Sequence, residues 1–139
     1  MTSHCETFEH TADIGLAAQA DSVDELFAAL GEGLANYIGR ASQVRKNETR
    51  PLNVKADDLE SLAVDYLGEV LGVVQFDHFL VAEIRVTKIT DTELWADLLG
   101  EPFDPTRHEI SAEVKAVTYH QLKVARQDDK WVARVLLDI

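Results

Sequence analysis

Apolar positions recur along this chain with two different periods, and the change between them divides it into elements. After a short apolar stretch at Ile14–Ala20 comes Ser22-Val23-Asp24-Glu25, the pattern of a capping box. Val23, Leu26, Phe27, Leu30, Leu34, Tyr37 and Ile38 follow at helical spacing, and Gly39 is placed to stop the helix. A second helix is predicted with Asp57 as cap and Glu60 three residues on. Its apolar face runs through Leu59, Leu62, Ala63, Tyr66, Leu67, Val70, Leu71 and Val74. From about residue 79 the period becomes two. Leu80, Ala82, Ile84 and Val86 form one strand face, and Leu94, Ala96 and Leu98 form another after a turn at Thr90-Asp91. Gly100 to His108 contains Pro102 and Pro105 and is predicted as a loop. Ile110, Ala112, Val114 and Ala116 give a further strand, and 120–126 with 131–137 a closing hairpin around Asp128-Asp129.

Helices and strands that are not regularly interleaved, most with one apolar face, predict an α+β fold. The expected arrangement is a two-layer sandwich, with helices packed on a largely antiparallel β-sheet. The length of 139 residues suits one domain with one core over residues 1–139, residues 1–6 lying outside it as a frayed end. No apolar run reaches the roughly 18 residues of a membrane span, and the N-terminus lacks a secretory pattern, so a cytoplasmic protein is expected. Cys5 alone builds neither a disulfide nor a zinc site; it is expected to be an exposed thiol without a role.

Charge narrows the function classes. Twenty-five acids against thirteen Lys and Arg give a net charge of −12. Phosphate backbones are gripped mainly by Lys and Arg, so tight direct nucleic-acid binding is not expected. A chain this acidic suits cations or a basic protein partner. Signatures for phosphate loops, nucleophile elbows, HExxH or CxxC sites are absent, and Gly31-Glu32-Gly33 falls within a helical pattern, where it reads as close helix packing.

Three segments concentrate chemistry: Phe8-Glu9-His10-Thr11-Ala12-Asp13-Ile14-Gly15, Lys115-Ala116-Val117-Thr118-Tyr119-His120, and the terminus Leu137-Asp138-Ile139. Hard divalent cations take several oxygen ligands, two or more of them charged. Asp13, Asp138 and the α-carboxylate of Ile139 supply three if folding unites them; otherwise Asp13 caps a turn and the terminus frays. His10 and His120 are candidate acids, bases or ligands, whereas His78 and His108 read as hydrogen-bonded structural residues. Lys115 is either a partner of the carboxylates, a phosphate contact or a solvated strand lysine.

The same three segments resemble the motifs of the archease family, and the resemblance runs from Phe8 to Ile139. Phe8 stands where that family commonly has tyrosine, and Asp65-Tyr66-Leu67 where a Trp-Leu pair is usual. The resemblance implies an accessory protein, not an enzyme. It would activate an RtcB-type RNA-splicing ligase, which joins RNA 3′-phosphate ends to 5′-hydroxyl ends with GTP and a divalent metal. It implies promotion of ligase guanylylation and of multiple turnover. It also implies a metal site, with calcium as the metal, at Asp13, Asp138 and Ile139, with Lys115 close by. The rival readings are an autonomous metal-dependent phosphoester hydrolase, a chaperone-like modulator, and an interaction module whose metal site is incidental.

Overall fold

The computed structural model describes residues 3–10 and 13–139. Thr11 and Ala12, in the middle of the first motif, lie outside the described residues, as do Met1 and Thr2.

Ser22 caps helix α1, Val23–Gly39: its hydroxyl oxygen accepts the Glu25 N–H and its hydroxyl donates to the Glu25 carboxylate at 2.8 Å. The cap at the other end is Arg40, in the left-handed region with φ 50°, so Gly39 is the last helical residue rather than the stop. Helix α2 spans Leu59–Gln75, and Asp58, not Asp57, caps it by accepting the Ser61 N–H at 2.7 Å. Asp57 and Asp58 both precede the apolar face. Ser61 at the third position of the helix decides between them.

The strands are β1 (His4–His10), β2 (Asp13–Ala20), β3 (Glu48–Lys55), β4 (Phe79–Ile89), β5 (Glu93–Pro102), β6 (Ala116–Gln127) and β7 (Lys130–Asp138). All pairings are antiparallel. They form two sheets, one in the order β1-β2-β7-β6 and one in the order β3-β5-β4. The α+β expectation holds. Helix α1 packs on β2 and β4, and α2 on β6, β4 and β3. One core joins both sheets to both helices, with Phe27, Tyr66 and Phe79 its largest fully buried side chains.

Several local expectations are corrected. His4–Glu6 are not frayed; they pair with Ala17–Gln19 in β1 and β2. Cys5 is half-buried against the core, and burial, with Glu6 adding a smaller push, raises its thiol pKa to about 12. Gly100–Pro102 belong to β5 rather than a loop. Residues 110–115 are not a strand although Val114 is buried. There the Gln75 side chain replaces a neighbouring strand: its amide donates to the Val114 carbonyl at 2.7 Å and accepts the Val114 N–H at 2.8 Å. Val114 therefore finds its hydrogen bonds without entering a sheet.

Gly31 packs α1 tightly, as its sequence context suggested. A Cβ there would meet Tyr66 Oη at 2.2 Å and Ile84 Cδ1 at 2.5 Å. The Tyr66 hydroxyl is held in place by donating to the Phe27 carbonyl at 2.8 Å.

Candidate functional site

Strand register assembles the three sequence segments. His10 on β1 stands opposite Asp13 on β2, Asp13 opposite Asp138 on β7, and Asp138 opposite Ala116 on β6. One row thus crosses all four strands of the first sheet and draws on every segment singled out in the sequence. The Lys115 N–H donates to the Asp138 carbonyl at 2.7 Å, tying the second segment to the third through the backbone.

The face on which this row lies follows from strand alternation. Leu16, Ala18 and Ala20 on β2 and Ala133, Val135 and Leu137 on β7 are buried beneath the helices. Asp13 and Asp138 have the opposite parity, so both project from the face turned away from the helices. Residues directly opposite in an antiparallel pair have Cβ atoms about 4.5–5.5 Å apart. Two carboxylates are thereby placed side by side on the outer face, and Ile139, 40 % exposed, follows at the strand's end.

The neighbouring row explains the rest of the first motif. Phe8 is opposite Gly15, and Gly15 opposite Leu136. The Phe8 ring lies on Gly15 so closely that a Cβ would stand 2.0 Å from Phe8 Cζ. Arg134 closes the other side, its guanidinium carbon 4.3 Å from the ring centroid. Leu136, opposite Gly15, is also buried on what is otherwise the open face of the sheet. Phe8, Gly15 and Arg134 thus link β1, β2 and β7 next to the Asp13–Asp138 pair.

The remaining candidates are distributed unevenly. The His10 backbone stands in the row; its side chain lies outside the described residues. Lys115 is exposed and lines a cavity on the helix side of the sheet, and its ammonium makes no ion pair with Asp138. His120 is exposed further along β6, inside an irregular stretch between Thr118 and Lys123 that also contains Gln121 at φ 54°. Among the described residues no three His, Cys, Asp or Glu side chains cluster as metal ligands. What the register brings together here is the Asp13 and Asp138 carboxylates, with Ile139 next after Asp138 in the chain.

A polar knot that the sequence reading missed lies elsewhere, around Glu101. Its carboxylate is buried and accepts the Arg45 N–H at 2.7 Å, the Arg107 guanidinium at 2.5 Å and His108 Nε2 at 2.9 Å. Desolvation alone would raise its pKa; these hydrogen bonds and the Arg107 charge outweigh it and hold the value near 2. The Asp104 N–H donates to His108 Nδ1 at 2.8 Å, so Nδ1 is the acceptor and Nε2 carries the proton given to Glu101. His108 is structural, in agreement with its sequence reading. The knot ties the 103–108 turn to the chain leading into β3. Only the proximity of Glu101, Arg107 and His108 in the sequence pointed to it.

A family model described as the archease protein family matches residues 5–139. Similar proteins include "Protein archease" of Pyrococcus abyssi, 39 % identical over 96 % of this chain and 97 % of its own length. That of Methanopyrus kandleri is 34 % identical over 96 % and 98 %. Among solved structures, the solution structure of Methanobacterium thermoautotrophicum protein 1598 superposes with a TM-score of 0.79 at 28 % identity, covering 97 % of this chain and 98 % of that one. The crystal structure of a Thermotoga maritima archease, described as a "possible chaperone", gives a TM-score of 0.62 at 22 % identity over 96 % of each chain, a likeness of fold.

Proposed function

Since the chain belongs to the archease family, we propose that it is an accessory protein that activates an RtcB-type RNA-splicing ligase, promoting ligase guanylylation and repeated turnover. The observation that carries this reading is the register pairing of Asp13 with Asp138 beside the chain's last residue. The two carboxylates and the Ile139 α-carboxylate would hold a divalent cation, calcium by the family resemblance; the cation supplies a local positive charge at an otherwise anionic edge. Placed on an outer face, this donor set is open to a partner rather than enclosed around a small substrate. Lys115, bonded by its backbone to Asp138, holds the β6 side of the row in place, and His10 and His120 remain the sequence's further candidates for contact with the partner.

The net charge of −12 supports contact with a basic protein surface and opposes a direct grip on RNA. The protein acts on the ligase and performs no chemistry of its own. Among the described residues no helix is long and apolar enough to cross a membrane.

The test is multiple-turnover joining of 3′-phosphate and 5′-hydroxyl RNA by the cognate ligase, run without this protein, with it, and with Asp13→Asn. Stimulation by wild type and its loss in Asp13→Asn are the expected results. Equal stimulation by both keeps the activator and discards the carboxylate site. No stimulation of an active ligase rejects the reading, and phosphoester turnover by the pure protein would replace it with the hydrolase.

A further inference from the structure

Two of the most exposed large apolar side chains face one cavity. Phe76 is 79 % exposed and Ile110 is 49 % exposed. Both line a cavity of about 550 Å³ whose apolar wall is built by Leu71 and Val74 of α2 and by Val114. The cavity has a fixed shape. Gln75 bonds Val114 through both its amide atoms, and the Ser111 N–H donates to the Ile38 carbonyl at 2.7 Å, so both ends of the 110–115 segment are tied to helix ends. Phe76 itself closes α2, its N–H donating to the Gly72 carbonyl at 2.8 Å. Its backbone is therefore fixed at the helix end, and its ring stands in solvent at the cavity.

The rim of this cavity carries Glu113 and Lys115, and the Lys115 N–H bonds the Asp138 carbonyl. The groove thus reaches, from the helix side, the same end of the sheet that bears the carboxylate row. Exposed Tyr119 lies on β6, and exposed Ile139 directly follows β7. Contiguous apolar surface rimmed by polar groups marks an interaction site.

We propose that this groove seats one apolar side chain of the ligase, carried on a segment whose flanking residues are Lys or Arg. The proposal rests on the ligase-activation reading and assigns the docking contact within it. Charge selects the occupant. A second copy brings another −12 to the interface. A basic segment gains from the same field, and its apolar residue fills the groove. Docking and activation are then separate: the groove sets affinity, and the carboxylate row sets what the bound protein does to the ligase.

The experiment is a titration of the cognate ligase with wild type, Phe76→Ser and Ile110→Ser, reading the half-maximal concentration and the plateau of multiple-turnover joining. Both replaced side chains are exposed, so thermal midpoints close to wild type verify the fold. The expected result is a half-maximal concentration raised at least tenfold in both variants, with the plateau kept, and a wild-type half-maximal concentration that rises with salt. Unchanged half-maximal concentrations, or a lowered plateau alone, would overturn the groove while leaving ligase activation standing. A wild-type protein that fails to stimulate would remove the reading and the groove together. A wild-type dimer in sedimentation that Phe76→Ser converts to monomer would identify the occupant as a second copy and overturn the proposal.

Discussion

Asp13 and Asp138, near opposite ends of the sequence, stand directly opposite each other on β2 and β7. Like charges so placed oppose one another, and a bound cation reverses the sign of the interaction. Divalent cation is therefore expected to stabilise the fold. At a hundred times its dissociation constant it adds ~2.7 kcal/mol, a rise in thermal midpoint of roughly 10 °C for a chain of this size. Asp13→Asn and Asp138→Asn should each abolish most of that rise. Thermal unfolding with and without millimolar calcium checks this, and a wild-type midpoint indifferent to calcium, magnesium and manganese would exclude the cation site.

The Ile139 α-carboxylate exists only while Ile139 is the last residue. A short Gly-Ser extension after it should weaken calcium binding by about tenfold or more, the loss of one charged oxygen ligand. The midpoint without cation should not move. Titration calorimetry on tagged and untagged protein decides: equal affinities remove Ile139 from the ligand set.

Gly15 has no side chain because Phe8 occupies its space. Gly15→Ala must displace the ring and break its stacking with Arg134, at a cost of about 1–3 kcal/mol. The double variant Gly15→Ala with Phe8→Ala should be more stable than the sum of the two single losses predicts, because the clash is then gone. Strict additivity in denaturant unfolding would mean that the ring does not oppose a methyl group there.

The Glu101 knot should make stability depend on acid. Its folded pKa lies below the ordinary 4.5, near 2. A depressed carboxylate contributes stability above its unfolded value and loses it as pH falls through the folded one. Glu101→Gln should thus cost about 1–3 kcal/mol at pH 7, where Arg107 loses its buried counter-charge. The gap to wild type should close between roughly pH 4.5 and 2. Urea unfolding of both proteins at several pH values measures it, and a gap constant down to pH 2.5 would assign the stabilisation to packing instead.

With its pKa near 12, the Cys5 thiol is almost wholly protonated at pH 8 and packed near Gly33 of α1. A thiol reagent should modify it at least about 100-fold faster in unfolded protein than in native protein. Comparable rates would mean that β1 detaches freely from the sheet.

The second helix illustrates what periodic pattern can reach. Its apolar stripe was legible because a helix needs only neighbours a few residues away to define its buried face. The same holds for the capping box at Ser22 and for the alternation along β4, β5 and β7. β1 was not legible: His4–His10 is polar on both faces, and it is a strand because β2 offers it an edge and α1 a surface for Cys5. β3 lacked a regular pattern too, carrying Pro51 and Asn53 on an edge strand. Residues 110–115 erred in the other direction. Their alternation suggested a strand, but the Gln75 amide, distant in sequence, took the place of one.

The chemistry divides along the same line. The acidic charge, the helices, the paired strands of the closing hairpin and the residue types of the three segments were all legible in the order of residues. These depend on composition and on interactions between near neighbours. It took folding to place His10, Asp13, Asp138 and Ala116 in one row, Phe8 over Gly15, and Lys115 at a groove on the opposite face. Register between strands far apart in the chain is set by which faces the helices bury. A shift of one residue would turn Asp13 into the core and Ile14 out of it.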